Sequence, residues 1–185
     1  MTPSKLYIIP IELTDVSVID PLFTILAQCF RLNTALYRKP IALDRAYDPK
    51  RNQYYSSEIL AQIINDPPPD AFRVLGVVGL DIYIPVLTYL YGEAQFKGLG
   101  ALTSTFRLNP GFYGNPEDPH LLQDRLVKEA VHEVGHTYGL IHCSHPACVM
   151  SSSTYIEDVD EKTASFCKSC HERLAAFPLR QESPL

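Results

Sequence analysis

The chain has no cluster of lysines and arginines anywhere along its length, and its 16 basic residues are outnumbered by 21 acidic ones, for a net charge of -5. A surface that tracks a phosphate backbone is excluded on that balance, so no nucleic-acid partner is expected. No apolar stretch approaches the length of a membrane span, and no membrane partner is expected either. The first fifteen residues, MTPSKLYIIPIELTD, lack the basic start and long apolar run of an export signal, because Pro10, Glu12 and Asp15 interrupt them. The expected location is therefore the reducing cytoplasm, where five cysteines read as metal ligands rather than disulfides. The odd count agrees, since four of the five cluster and Cys29 stands apart. No internal repeat or low-complexity segment is present.

What the chain does have is enough apolar material, 46% of 185 residues, to bury the core of one compact domain. Residues 5–13 read as a strand and residues 16–32 as a largely helical run. A polar, irregular stretch follows at 43–50, then a helix over 52–65 with Tyr55, Ile59, Leu60 and Ile63 at helical spacing, ended by Pro67, Pro68 and Pro69. Three β-rich runs follow, at 72–80, 82–95 and 99–108, punctuated by Gly79, Gly92, Gly98 and Gly100. Asp118 is placed to cap a helix with Pro119 in its first turn. That helix should bury Leu122, Leu126, Ala130, Val134 and Tyr138 and stop at Gly139. Beyond it the chain becomes short, polar and rich in Cys and His, with a last helical stretch expected over 161–177.

The segment from His132 to His142, HEVGHTYGLIH, matches H-E-x-x-H-x-x-G-x-x-H. Its spacing carries chemistry. Residues four apart share one helix face, so His132 and His136 can direct their imidazoles at one ion. Gly139 lets the backbone turn sharply at positive φ and bring His142 back as a third ligand. Three imidazoles leave the fourth position of a tetrahedral zinc open, which is the mark of a catalytic site. Glu133 follows the first ligand directly and is the expected general base. Any one of these histidines alone would read as a core or surface residue; the full pattern changes that.

Cys143, Cys148, Cys167 and Cys170 lie in the same C-terminal stretch, and the last two have C-x-x-C spacing. Four thiolates close a tetrahedral zinc shell, leaving no room for water, so this second zinc is expected to be structural. A redox dithiol or disulfides are the competing readings, opposed by the other two cysteines and the missing export signal. Because His142 and Cys143 are adjacent, loss of the second zinc should misplace His142.

Together these residues, H-E-x-x-H-x-x-G-x-x-H-C-x-x-x-x-C-x-M and a later C-x-x-C, resemble the archaemetzincin signature. Leu80 to Pro85, Tyr91 to Ala94 and Ser104 to Leu108 are similar to that family's sheet segments. The resemblance implies an α+β, metzincin-like fold. Such a fold has a twisted mixed sheet with a backing helix and the active-site helix, above a small zinc-stapled C-terminal subdomain; composition alone gives only α/β. It divides one domain, 1–185, into an upper part, 1–139, and a lower part, 140–185. It makes Met150 the Met-turn residue, an apolar floor under the ligands. It also implies an edge strand that pairs with substrate, for which Tyr91, Gly92, Glu93, Ala94 and Gln95 are the candidate. Some metzincins place an oxyanion-assisting Tyr two residues after that Met, where this chain has Ser152; Tyr155 is the nearest substitute.

The expected function is that of a zinc peptidase with two Zn2+ per chain, acting on a peptide or protein. An alternative keeps the site intact but idle, in a zinc-binding module that contacts another protein; mutation of Glu133 separates the two. A nucleic-acid zinc finger is disfavoured, because Lys162, Lys168, Arg173 and Arg180 are offset by Glu157, Asp158, Asp160 and Glu161.

Overall fold

The structure, a computed structural model, describes residues 5–177. Leu6, Ile8, Ile9 and Ile11 are all buried in the first strand, β1 (Lys5–Ile11), so both of its faces are covered. That pattern is the signature of a parallel sheet with helices on both sides. The sheet has five strands in the order β2 (Asn33–Leu36), β1, β5 (Ala71–Val78), β8 (Gly100–Ser104) and β7 (Gly92–Ala94). Every pairing is parallel except that of β7 with β8. Alternation along the strands sends Leu6, Ile8, Leu75 and Val77 to one face, against helices α1 (Asp20–Phe30) and α3 (Pro119–Thr137). Ile9, Ile11, Val74 and Val78 point to the other, against α2 (Ser56–Ile64). The α+β reading with a mixed sheet holds.

Three expectations are corrected. Residues 53–55 are strand rather than helix: β4 (Gln53–Tyr55) pairs with β3 (Tyr47–Asp48) and β6 (Ile82–Tyr83), and the helix begins only at Ser56. The run at 82–95 is strand only at its ends, since Pro85 has no N–H to give a ladder and residues 84–91 leave the sheet as a rim. The last helix is two, α4 (Ile156–Glu161) and α5 (Lys168–Ala175). Between them the backbone turns to bond the 147–149 loop, with Val149 N–H donating to Ser165 O at 2.9 Å and Thr163 N–H to Ala147 O at 3.1 Å.

The C-terminal residues share the main core. Leu140, Val149, Met150, Ile156 and Val159 are buried with the α1 and α3 side of the sheet. Arg125 of α3 holds Asp160 of α4 through two bonds of 2.7 Å, and Lys162, fully buried, pairs with Glu129 at 2.7 Å. Lys162, one of the four basic residues weighed for a zinc finger, is therefore spent on an internal pair; Arg180 lies outside the described residues. No helix among the described residues is long and apolar enough to cross a membrane.

Candidate active site and second metal cluster

Helix α3 is built by local rules at both ends. Asp118 accepts from the amides of His120 and Leu121 at 3.0 Å, with Pro119 opening the helix. At the other end Gly139 has φ +81°, its N–H donates to His136 O, and Leu140 N–H donates to Gly135 O. This 6→1 and 5→2 pair is a Schellman ending, which turns the chain back under the helix. Of the expected stripe, Leu126, Ala130, Val134 and Tyr138 are buried and Leu122 partly so.

That turn brings His142 to the other two histidines. The three can each offer a nitrogen within 4.8 Å of the others. His132 Nδ1 lies 2.8 Å from Val149 O and His136 Nδ1 2.7 Å from Leu140 O. A carbonyl only accepts, so each Nδ1 carries the proton and each Nε2 keeps its lone pair. The two Nε2 atoms are 3.0 Å apart. Two lone pairs at that distance repel unless a cation lies between them, and tetrahedral zinc bonds of about 2.0 Å require a separation of about 3.3 Å. The donor set fits a zinc ion. Burial, with the Lys162 charge adding to it at His132, lowers the proton affinity of all three rings, favouring the neutral form that ligates metal.

Glu133 is buried beside this group, and burial, reinforced by Glu129, raises its carboxyl pKa well above the usual range. Its neighbour is the edge strand. A Cβ on Gly92 would collide with Glu133 Cγ and stand 2.6 Å from Oε1, so only glycine leaves room for the carboxylate there. Glu93 points the other way and accepts from the Ser56 and Ser57 hydroxyls at the start of α2. Tyr91 is buried, Ala94 is half-buried, and Gln95 is exposed where the strand ends. Gly92→Ala is expected to leave fold and metal content unchanged, displace Glu133, and lower peptide cleavage by about 10²-fold. Steady-state assays with zinc analysis check this.

Met150 lies under the helix: a Cβ on Gly135 would stand 2.6 Å from its sulfur. Beside the resemblance, the sequence signal for this contact is Gly135 itself, a glycine in the last turn of α3, where it costs up to about 1 kcal/mol against alanine. Ser152 and the 65%-exposed Tyr155 line the cleft wall, together with His132, Glu133 and His142. The pairing of Lys162 with Glu129, which itself lines the cleft, left no such signal.

Cys143, Cys148, Cys167 and Cys170 converge with sulfurs within 4.8 Å, and Cys29 stands apart. Cys143 and Cys167 sulfurs are 3.7 Å apart, close to the roughly 3.8 Å edge of a tetrahedron with Zn–S bonds of about 2.3 Å. The Cys167 amide donates to Cys148 Sγ at 3.3 Å and the His145 amide to Cys143 Sγ at 3.5 Å, stabilising thiolates. The Cys170 amide does the same for Cys167, whose pKa is held down to about 7. Cys143 N–H donates to Met150 O at 2.9 Å, so this cluster and the floor of the three-His site share one loop.

A profile described as Peptidase family M54 matches residues 39–176. The chain belongs to peptidase family M54. It is similar to the archaemetzincin of Methanocaldococcus jannaschii, 45% identical over 129 residues covering 70% of each chain. The crystal structure of Archaeoglobus fulgidus archaemetzincin superposes with a TM-score of 0.79 at 36% identity, covering 91% of this chain and 99% of the other. That of Methanopyrus kandleri archaemetzincin gives 0.83 at 32% identity, covering 94% of each. The M54 protein is a zinc metallopeptidase, and its substrates are peptides.

The buried groups of this site set a pH signature for the metal-free protein. His132 is harder to protonate folded than unfolded, so below about pH 6.5 the unfolded chain binds more protons and stability is lost as pH falls, by up to about 1.4 kcal/mol per unit. Glu133 acts oppositely: its raised pKa gives the folded state the extra proton, so its contribution grows as pH falls. Urea unfolding of metal-free Glu133→Gln between pH 7 and 5 is expected to show a steeper loss than metal-free wild type.

Proposed function

We propose that the chain cleaves peptide bonds at the three-His site, with His132, His136 and His142 holding a catalytic zinc and Glu133 as general base. The observation that carries this reading is the buried Glu133 carboxylate lodged between the convergent histidines and the free edge of β7. Zinc held by His132, His136 and His142 would supply Lewis acidity, acidifying a water and polarising the substrate carbonyl. The peptide pairs its backbone with the edge at Gly92 and Ala94, which presents its carbonyl to the site. Glu133 takes a proton from the attacking water and delivers it to the leaving amine as the C–N bond breaks. Its raised proton affinity suits both halves of that transfer. Tyr155, exposed on the wall, is within the same cleft and is the candidate to steady the oxyanion.

The four thiols hold a second, structural zinc that fixes the loop carrying His142, Val149 and Met150. One domain, 1–185, with parts 1–139 and 140–185, and a reducing cytoplasmic setting complete the reading; unpaired thiols and the shared core support it. The test is mass-spectrometric detection of cuts across a diverse peptide mixture. Cleavage by zinc-loaded protein that stops on chelation supports the proposal, and silence at full zinc occupancy contradicts it.

A further inference from the structure

We infer that the cleft is barred on its leaving-group side by Tyr89, so that the enzyme releases short C-terminal fragments of one or two residues rather than cutting within long chains. This rests on the peptidase reading above and names the substrate class for it.

The cleft is a cavity of about 410 Å³, near the small end of ligand sites, which run from about 300 to 1,000 Å³. Leu87 to Gly92 form its upper wall, Ser152 to Tyr155 its lower wall, and His132, Glu133 and His142 its back. Tyr89 OH crosses from the upper wall and donates to Thr154 O at 2.9 Å.

Both ends of this bar are fixed. Arg107, paired with Asp81 through bonds of 2.6 and 2.7 Å, lies 4.1 Å over the Tyr89 ring. Arg51 donates to Leu87 O at 2.9 Å and Thr88 O at 3.0 Å, and Gln53 to Thr88 O at 3.0 Å. Below, the amides of Thr154 and Tyr155 donate to Asp158 Oδ2 at 2.7 and 2.8 Å. The rim is not free to swing.

Strand direction says which end of the substrate meets the bar. Antiparallel pairing is the more stable kind, so a peptide on the edge of β7 runs opposite to Gly92→Ala94. Its residues beyond the scissile bond therefore head toward Tyr91, Leu90 and Tyr89. Residues 89–91 bend out of the sheet, so the bar lies no more than the reach of three extended residues, about 10 Å, from Gly92, room for at most about two substrate residues. In the other direction the edge leads to exposed Gln95, Phe96 and Lys97, where the N-terminal part of a long substrate can leave.

The test uses zinc-loaded protein and a cleaved peptide whose length is varied on each side of the cut. The expected kcat/KM falls at least about tenfold between two and four residues past the cut, and changes less than about twofold with N-terminal extension. Tyr89→Ala should raise the four-to-two ratio at least about tenfold, and Tyr89→Phe, which loses only the bond to Thr154, should raise it partly. Equal kcat/KM at two and eight residues past the cut, or dependence on N-terminal length instead, overturns the inference while leaving the peptidase reading intact. Cleavage of no peptide overturns both.

Discussion

Glu133→Gln is expected to bind zinc like the wild type and lose turnover by about 10³-fold, within the 10² to 10⁴ that general-base catalysis supplies. Glutamine has the volume of glutamate, so it fits against Gly92 without a clash. It keeps hydrogen-bonding atoms but cannot accept a proton. The variant also removes a buried carboxylate with Glu129 and Glu93 nearby, so the metal-free protein should be more stable near neutral pH, not less. Lost turnover with unchanged zinc and undiminished stability assigns the effect to proton transfer. Normal turnover removes Glu133 from the mechanism.

Cys148→Ser is expected to lose one zinc per chain, lower Tm by more than about 10 °C, and reduce kcat/KM about 10- to 100-fold even with excess zinc. Cys148 is 1% exposed and accepts the Cys167 amide, so a hydroxyl there neither ligates well nor fills the site. A structural zinc contributes about 10 to 16 kcal/mol in small domains, comparable with the whole net stability of an ordinary protein. The catalytic effect follows from chain continuity. Cys143 adjoins His142, and Val149, whose carbonyl accepts the hydrogen bond from His132 Nδ1–H, adjoins Cys148. Zinc analysis, thermal melting and peptide assays check the three parts. Full activity at one zinc per chain would separate the two clusters.

Features set by neighbours in the chain were legible in the sequence. Asp118 and Pro119 start α3, Gly139 ends it, and the i, i+4 histidines share a face, each through bonds that span a few residues. Features set by distant partners were not. Gln53 to Tyr55 are strand because Ile82 and Tyr83 lie beside them, and the break between α4 and α5 exists because residues 163–167 bond the cysteine loop. The edge strand was placed by resemblance, and its three residues carry little β signal of their own. What Gly92 and Gly135 leave room for, Glu133 and the Met150 sulfur, shows only once the elements are packed. The buried pairing of Lys162 with Glu129 is likewise a property of the assembled fold that no local pattern announces.

The most direct test of the account is to measure zinc content and peptide cleavage on the same sample of His136→Ala. The expected result is one zinc per chain, held by the four cysteines, with no cleavage above background. Cleavage at the wild-type rate with the three-His site empty would contradict the claim that this site performs the reaction.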